Sequence, residues 1–142
     1  MKIVKKKTNT VRKPKYPPPY KSELEWETAK LLEKEGIWFE YEALNVVFMK
    51  GYKRAISYEK VGKKFKECSA VKKLSYTPDF VGKGWVIETK GHITEAFRIR
   101  WKLFKQWVDD NEKGYTLFMP TNMKEVAECI KIIKEKELWK TL

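Results

Sequence analysis

Apolar side chains recur along the chain with two periods, one helical and one typical of strands. Within residues 22–35 a helical stripe of Leu24, Thr28, Leu31 and Leu32 predicts the first helix, with Ser22 at its start and Gly36 as its stop. Two further helices are predicted, at residues 94–110 and 123–137. The helix at 94–110 has an apolar stripe, which predicts a buried face consisting of Phe97, Trp101, Phe104 and Val108.

Strand-like segments fill the intervals between these helices. The pattern predicts one long strand at residues 37–49 and a returning strand at 54–58. It predicts two more at 76–80 and 84–90, joined by a tight turn at 82–84, and a last one at 115–120. Residues 59–75 are basic and only weakly periodic, so a loop with a short helix is predicted there.

The resulting order is αβ(β)ββαβα. It predicts an α/β fold in which helices flank a mixed central β-sheet. The 142 residues suit one domain, which we place at residues 22–142 with a basic insertion at about 49–75. Residues 1–21 contain eight Lys or Arg, no acid and four prolines, which predicts a flexible, basic, proline-rich arm.

The charge of the chain narrows the choice of partner. A formal net charge of +12 favours a polyanion, with nucleic acid as the first expectation and an anionic membrane surface as the second. No apolar run is long enough to span a bilayer and no signal core is visible, so we expect a cytoplasmic protein. The two cysteines do not have the spacing of a zinc site, and the chain has a single histidine. Any metal site should therefore consist of carboxylates, which favours Mg²⁺ or Mn²⁺.

Three acids and a lysine are the candidates for such a site. Glu88 and Lys90 alternate with Thr89 and therefore share one face of their strand. Asp79 follows Pro78, which should bend its strand or place it at an edge, so that Asp79 can approach Glu88. Glu25 lies at the edge of the apolar face of the first helix and is the helical acid that should face the sheet.

This set fits the hydrolysis of a phosphodiester. One or two divalent ions held by Glu25, Asp79 and Glu88, with the Thr89 carbonyl completing the shell, can polarise the phosphate and activate a water. Lys90 can then orient hydroxide or stabilise charge on phosphorus. No small-molecule cofactor is expected.

Each candidate also has an ordinary structural interpretation. Glu25 stands three residues after Ser22 and could be the glutamate of a capping box. Glu88 and Lys90 could form an exposed ion pair, and Asp79 could be a turn residue after proline.

Two basic sets are candidate phosphate contacts. The second helix has no acid between residues 96 and 108, and a second cluster lies in the basic insertion. A solvated surface is the alternative for both. The proposed contacts are Arg98, Arg100, Lys102, Lys105, Lys63 and Lys64.

The spacing of Glu25, "TPDF" (residues 77–80) and "ETKG" (88–91) resembles the PD-(D/E)xK nuclease superfamily. Together with "SELEWETAKLLEKEGIWFEYE" (22–42), these blocks look like the phage endonuclease I family, the Holliday junction resolvases. The match covers residues 22–42 and 76–91. The longer, basic segment at 49–75 departs from the family pattern.

The resemblance implies a restriction-endonuclease-like core in which Glu25, Asp79 and Glu88 bind metal and Lys90 is catalytic. It also implies a DNA substrate, which we expect to be branched, and a homodimer of phage or prophage type. Two alternatives stay open: a sequence- or end-directed phage nuclease, and a DNA-binding protein that has this fold but does not cleave.

Overall fold

The computed structural model describes residues 16–140, and within that range the chain forms three helices and eight strands. The elements run in this order: α1 (Glu23–Lys34), β1 (Glu40–Tyr41), β2 (Val46–Met49), β3 (Tyr52–Val61), β4 (Lys64–Val71), β5 (Leu74–Tyr76), β6 (Phe80–Val81), β7 (Trp85–Ile87), α2 (Glu95–Asp110), β8 (Thr116–Phe118) and α3 (Met123–Glu135). The predicted α/β class with a mixed sheet is therefore confirmed.

All three helices begin at a side-chain cap, as their sequences suggest. The backbone N–H groups of Glu25, Phe97 and Glu125 donate to the side-chain oxygens of Ser22, Thr94 and Asn122, respectively. These bonds satisfy amide groups that a helix start leaves without a partner. The predicted helix starts are correct to within one residue.

The central sheet has four strands in the order β1-β6-β7-β8. The pairs β1–β6 and β6–β7 are antiparallel, whereas β7 and β8 are parallel and α2 forms the crossover between them. The turn before β7 is tight: the Gly82 amide donates to the Trp85 carbonyl at 2.9 Å. A Cβ at Gly82 would overlap the Trp85 ring, so this turn requires glycine.

The side chains of β7 point alternately into two cores. Trp85 and Ile87 pack with α1 and α3, whereas Val86 packs with α2. The predicted stripe on α2, from Phe97 to Val108, is fully buried in the second core. The sheet is thus covered on both faces, and β7, which leads to the candidate acids, is buried along its whole length.

The predicted long strand at residues 37–49 is wrong. The chain breaks after β1 at Glu42, whose φ of 49° is a left-handed conformation incompatible with a strand. β1 then pairs with β6 in the central sheet, whereas β2 pairs with β5 in a separate two-stranded sheet.

The predicted loop and short helix at residues 59–75 are also wrong. The strand predicted at 54–58 is present, but it is longer than expected, because β3 runs from Tyr52 to Val61 and pairs with β4. β3 and β4 form a long antiparallel hairpin that turns at Gly62, where φ is 65°. All of β3 and most of β4 are exposed. Because no core formed by residues 16–140 lies against either face, burial imposes no strict alternation, and the strand pattern is weak in the sequence.

The single predicted strand at residues 76–80 is divided at Pro78 into β5 and β6. The bend expected from proline is therefore present, and Asp79 lies within it.

The end of the predicted arm contacts the domain. Tyr20 packs edge-on against Tyr41, with ring centroids 4.9 Å apart, and also against Phe80. Residues 1–15 lie outside the described residues, so the flexible arm and the domain boundaries stay predictions. Among residues 16–140, no helix combines the length and apolar character needed to cross a bilayer.

Candidate metal centre

The two strand-borne acids meet through a network of buried hydrogen bonds. The Asp79 amide donates to Glu88 Oε2 at 3.0 Å. In return, the amide and hydroxyl of Thr89 donate to Asp79 Oδ2 at 2.9 and 2.8 Å. Asp79 and Glu88 are 8% and 4% exposed, so Asp79 is not merely a surface turn residue.

Glu88 is held just beyond the end of β7, because its backbone continues the pairing of β7 with β8. Its amide donates to the Phe118 carbonyl at 2.9 Å, and the Lys90 amide donates to the Pro120 carbonyl at 3.0 Å. The Thr89 amide consequently points the other way, toward Asp79. The predicted role of the Thr89 carbonyl as a ligand stays a prediction; the contacts seen here involve its amide and hydroxyl.

Glu25 reaches the same region from α1 and is only 6% exposed. Its Oε1 accepts from the Tyr41 hydroxyl at 2.8 Å, and its Oε2 accepts from the Lys21 amide at 3.1 Å. One half of a capping box is present, because the Glu25 amide donates to the Ser22 hydroxyl, whereas the carboxylate accepts from the amide of Lys21, one residue before the cap. The Glu25 carboxylate, however, faces β1, as the position of Glu25 on the helix predicts.

A fourth acid, Glu42, completes a compact group. One carboxylate oxygen from each of Glu25, Glu42 and Asp79 lies within 4.8 Å of the other two. Opposite ligands of an octahedral Mg²⁺ are about 4.2 Å apart, because each Mg–O bond is about 2.1 Å. Adjacent ligands are about 3.0 Å apart, and at most one pair among three ligands can lie opposite each other, so the three side chains must close in further to share one ion.

Sequence reasoning misses Glu42 because its position depends on a backbone break. Its left-handed conformation ends β1, and its amide donates to the Asp79 carbonyl at 2.8 Å. The alternation of "FEYE" instead predicts that Glu40 and Glu42 point to the same strand face. A glutamate with positive φ is uncommon and has no distinctive signal in the sequence.

Glu88 is not one of the three clustered acids and lies beside them. Its Oε1 is 3.4 Å from the Lys90 ammonium, which also lies 4.3 Å from the centroid of the Phe97 ring. Lys90 is 29% exposed at its side chain and Glu88 only 5%. The alternative of an exposed ion pair is therefore wrong. The Glu88 carboxylate is buried, and the Lys90 side chain that pairs with it is partly open to solvent.

The electrostatics of the group favour the arrival of a cation. Burial, followed by the charge of Glu88, raises the pKa of Asp79 to about 8. Burial also raises the pKa of Glu88, although the nearby Lys90 opposes this change. Buried carboxylates that are costly to ionise become stable as anions when a divalent ion balances their charge.

The pKa values of two groups beside these carboxylates, Lys21 and Tyr76, are also raised. The Lys21 ammonium is paired with Glu42 at 2.8 Å, and this pair raises the pKa of Lys21. The Tyr76 hydroxyl is buried beside Glu88, and within residues 16–140 it has no hydrogen-bond partner of acceptable geometry. Burial and then the Glu88 charge raise the pKa of Tyr76, which keeps its hydroxyl protonated.

The basic residues predicted on α2 divide into two kinds. Arg98, Lys102 and Lys105 line a groove of about 350 Å³ together with Phe97 and Trp101. Phe97 also contacts Lys90, so one residue that lines this groove adjoins the candidate site. Arg100 is instead partly used in packing, since its Nε donates to the Ser75 carbonyl at 3.2 Å.

Lys63 and Lys64 lie at the tip of the β3–β4 hairpin and are exposed. They are therefore accessible to a ligand, but they belong to a different surface from the α2 groove.

Comparison of the chain with family models, with curated proteins and with solved structures returns no match.

Proposed function

We propose that the protein is a Mg²⁺- or Mn²⁺-dependent DNA endonuclease. The observation that carries this proposal is the convergence of the Glu25, Glu42 and Asp79 carboxylates. Asp79 is hydrogen-bonded to Thr89 and Glu88, and Glu88 is paired with the Lys90 ammonium. A lysine beside clustered buried acids matches the requirements of metal-assisted phosphodiester hydrolysis. Glu25 and Asp79 also belong to the PD-(D/E)xK resemblance, together with Glu88 and Lys90.

The acidic cluster would hold the ion, which would polarise the phosphate and lower the pKa of a water. The oxygen of water then bonds to phosphorus as the bond from phosphorus to the 3′ oxygen breaks. The 3′ oxygen takes up a proton, leaving a 3′ hydroxyl and a 5′ phosphate.

The chain's own residues position these groups. Thr89 orients Asp79 through two hydrogen bonds, and the Asp79 amide orients Glu88. The Lys90 ammonium is restrained by Glu88 and Phe97, from where it can stabilise the negative charge that develops at phosphorus.

DNA is the proposed substrate because three basic residues line the groove on α2, and this groove shares Phe97 with the surroundings of Lys90. Arg98, Lys102 and Lys105 would contact backbone phosphates there, which gives binding without base readout. Branched DNA, a Holliday junction in particular, is the favoured form, and a homodimer would supply two symmetric cuts. A phage-type protein acting in the host cytoplasm would fit this activity.

The test is a cleavage assay on four-way junction, flap and linear duplex DNA with Mg²⁺. Wild type should cut with preference for branched DNA, whereas Asp79→Asn and Glu88→Gln should lose at least about a hundredfold in rate. Glu40→Gln is the matched control, because Glu40 is an exposed acid on β1 and should leave the rate unchanged.

The other outcomes each identify a different function. Equal cutting of linear DNA would favour the sequence- or end-directed nuclease. DNA binding with no cutting by wild type in Mg²⁺ or Mn²⁺ would contradict the proposal and favour the non-cleaving DNA-binding protein.

A further inference from the structure

The β3–β4 hairpin has no packing partner among the described residues that explains its composition. Its paired strands run from Tyr52↔Val71 to Val61↔Lys64, and every residue of β3 is exposed. A two-stranded hairpin alone is marginally stable in water. A hairpin of this length with large apolar side chains on its surface therefore suggests a binding element.

The apolar side chains are concentrated on one face. Tyr58 pairs with Glu67 and Lys60 pairs with Phe65, so these four residues share a face of the ribbon. Tyr58 and Phe65 are 61% and 75% exposed. Their rings stack on each other with centroids 6.3 Å apart, which leaves an aromatic surface open to solvent.

The charge around this aromatic pair favours nucleic acid. Residues 52–71 contain six Lys or Arg and two Glu, a net charge of +4. Lys60 shares the aromatic face with Glu67, Lys63 lies in the turn at the tip, and Lys64 pairs with Val61 on the opposite face. Aromatic rings flanked by cations are the usual surface for stacking unpaired bases while neighbouring phosphates are neutralised.

The size of the patch argues against a second copy of this chain as its occupant. A stable dimer buries about 800 Å² per partner. Two ring side chains and the neighbouring Ile56, at 66% exposure, offer only a few hundred Å².

We propose that the aromatic face of the hairpin, formed by Tyr58 and Phe65, stacks against unpaired bases at a branch or flap in DNA. The inference rests on the proposed function and extends it to the feature that selects the substrate. Structure selectivity would then come from the hairpin, whereas cleavage would come from the acidic cluster.

The test compares the affinities of two DNAs for the full-length protein in EDTA, so that cleavage is blocked. One is a linear duplex, and the other is the same duplex with a single-stranded flap carrying 2-aminopurine next to the branch. The Tyr58→Ala/Phe65→Ala variant should bind the flap about tenfold or more weakly, from stacking worth about 1–3 kcal/mol per base. Its affinity for linear duplex should change less than about twofold.

The 2-aminopurine fluorescence gives a direct readout of stacking. Wild type should quench it on binding, and the double variant should not. Val61→Ala is the matched control, because Val61 is exposed on the opposite face of the same hairpin and should leave both affinities and the quenching unchanged. Circular dichroism checks that each variant is folded.

Several results would overturn the inference: an equal loss on both DNAs, no loss on either, or no quenching by wild type. A mass that halves in the double variant by light scattering would instead assign the face to a second copy. These outcomes are independent of catalysis. Normal stacking by a protein that never cuts in Mg²⁺ would refute the nuclease proposal alone.

Discussion

The three acids of the candidate metal site are brought together from separate parts of the chain. Glu25 comes from the first turn of a helix, Asp79 from a proline bend, and Glu42 from a left-handed residue that ends a strand. Asp79 and Glu88 are further constrained by reciprocal bonds between neighbouring strands. Their side chains are therefore oriented before any ion arrives, which lowers the entropic cost of binding one.

Glu42→Gln should weaken Mn²⁺ binding by about tenfold or more, because one of three clustered carboxylates loses its charge. Isothermal titration calorimetry measures this change directly. Glu40→Gln should bind Mn²⁺ as wild type does, because Glu40 is exposed. Equal affinities for wild type and Glu42→Gln would exclude Glu42 from the site.

The raised pKa values predict a pH-dependent response. A carboxyl group whose pKa is higher in the folded state, as for Asp79, stabilises the fold at low pH and ceases to do so as pH rises toward about 8. The metal-free protein should therefore lose thermal stability between about pH 5 and pH 8. Added Mg²⁺ should restore most of it at the higher pH.

The control for this effect is Asp79→Asn, which removes the main titrating group. Its metal-free thermal midpoint should vary less with pH than that of wild type, and Mg²⁺ should raise it less. A wild-type midpoint that rises steadily over the same range would contradict the assigned direction of the pKa shift.

At the scale of elements, the hairpin formed by β6 and β7 sets the geometry of the site. Its turn brings Asp79 and Glu88 opposite each other, and Gly82 is required because the Trp85 ring occupies the space of a side chain. Trp85 is itself fully buried in the core beside α1 and α3. A change at Gly82 should thus disturb both core packing and the alignment of the acids.

Gly82→Ala should lower the free energy of unfolding by about 1–3 kcal/mol, since the added methyl group forces the Trp85 ring to move. Urea denaturation measures the effect as a lower midpoint. Gly91→Ala is the matched control, because a Cβ there meets no atom within 4 Å. Equal midpoints for the two variants would show that the turn tolerates a side chain.

The elements also show which features the sequence can predict. Helices α1, α2 and α3 have capped starts and one continuous buried stripe each, so pattern and propensity agree. Residue type and strand or helix periodicity likewise suffice to place Asp79, Glu88 and Glu25. The position of Glu42 is not predicted, because its positive φ has no signal in the sequence. The β3–β4 hairpin is not predicted either, because a ribbon exposed on both faces has no periodic pattern of apolar residues.

In the part of the chain that the structure describes, the predicted phosphate contacts lie on two separate surfaces. The α2 groove contains Arg98, Lys102 and Lys105, and the hairpin tip contains Lys63 and Lys64. Helix α3 packs on the opposite face of the central sheet from α2. A DNA that follows the α2 groove would therefore not contact the lysines of α3.

Replacing Lys102 and Lys105 with Ser should weaken DNA binding, because two phosphates would no longer be neutralised. The slope of log affinity against log salt should become shallower by about 2, or roughly 0.9 for each of these phosphates. Fluorescence anisotropy across a salt series provides the slope. The same change at Lys124 and Lys131, exposed on α3, should have little effect. Equal slopes for the two double variants would exclude the α2 groove as the DNA site.

Anomalous diffraction from a crystal grown with Mn²⁺ locates a bound divalent ion directly. If the acidic cluster is the metal site, an anomalous peak should lie about 2.0–2.3 Å from carboxylate oxygens of Asp79 and of at least one of Glu25 and Glu42. A well-ordered site with the acids still in place and no peak among them would contradict this assignment.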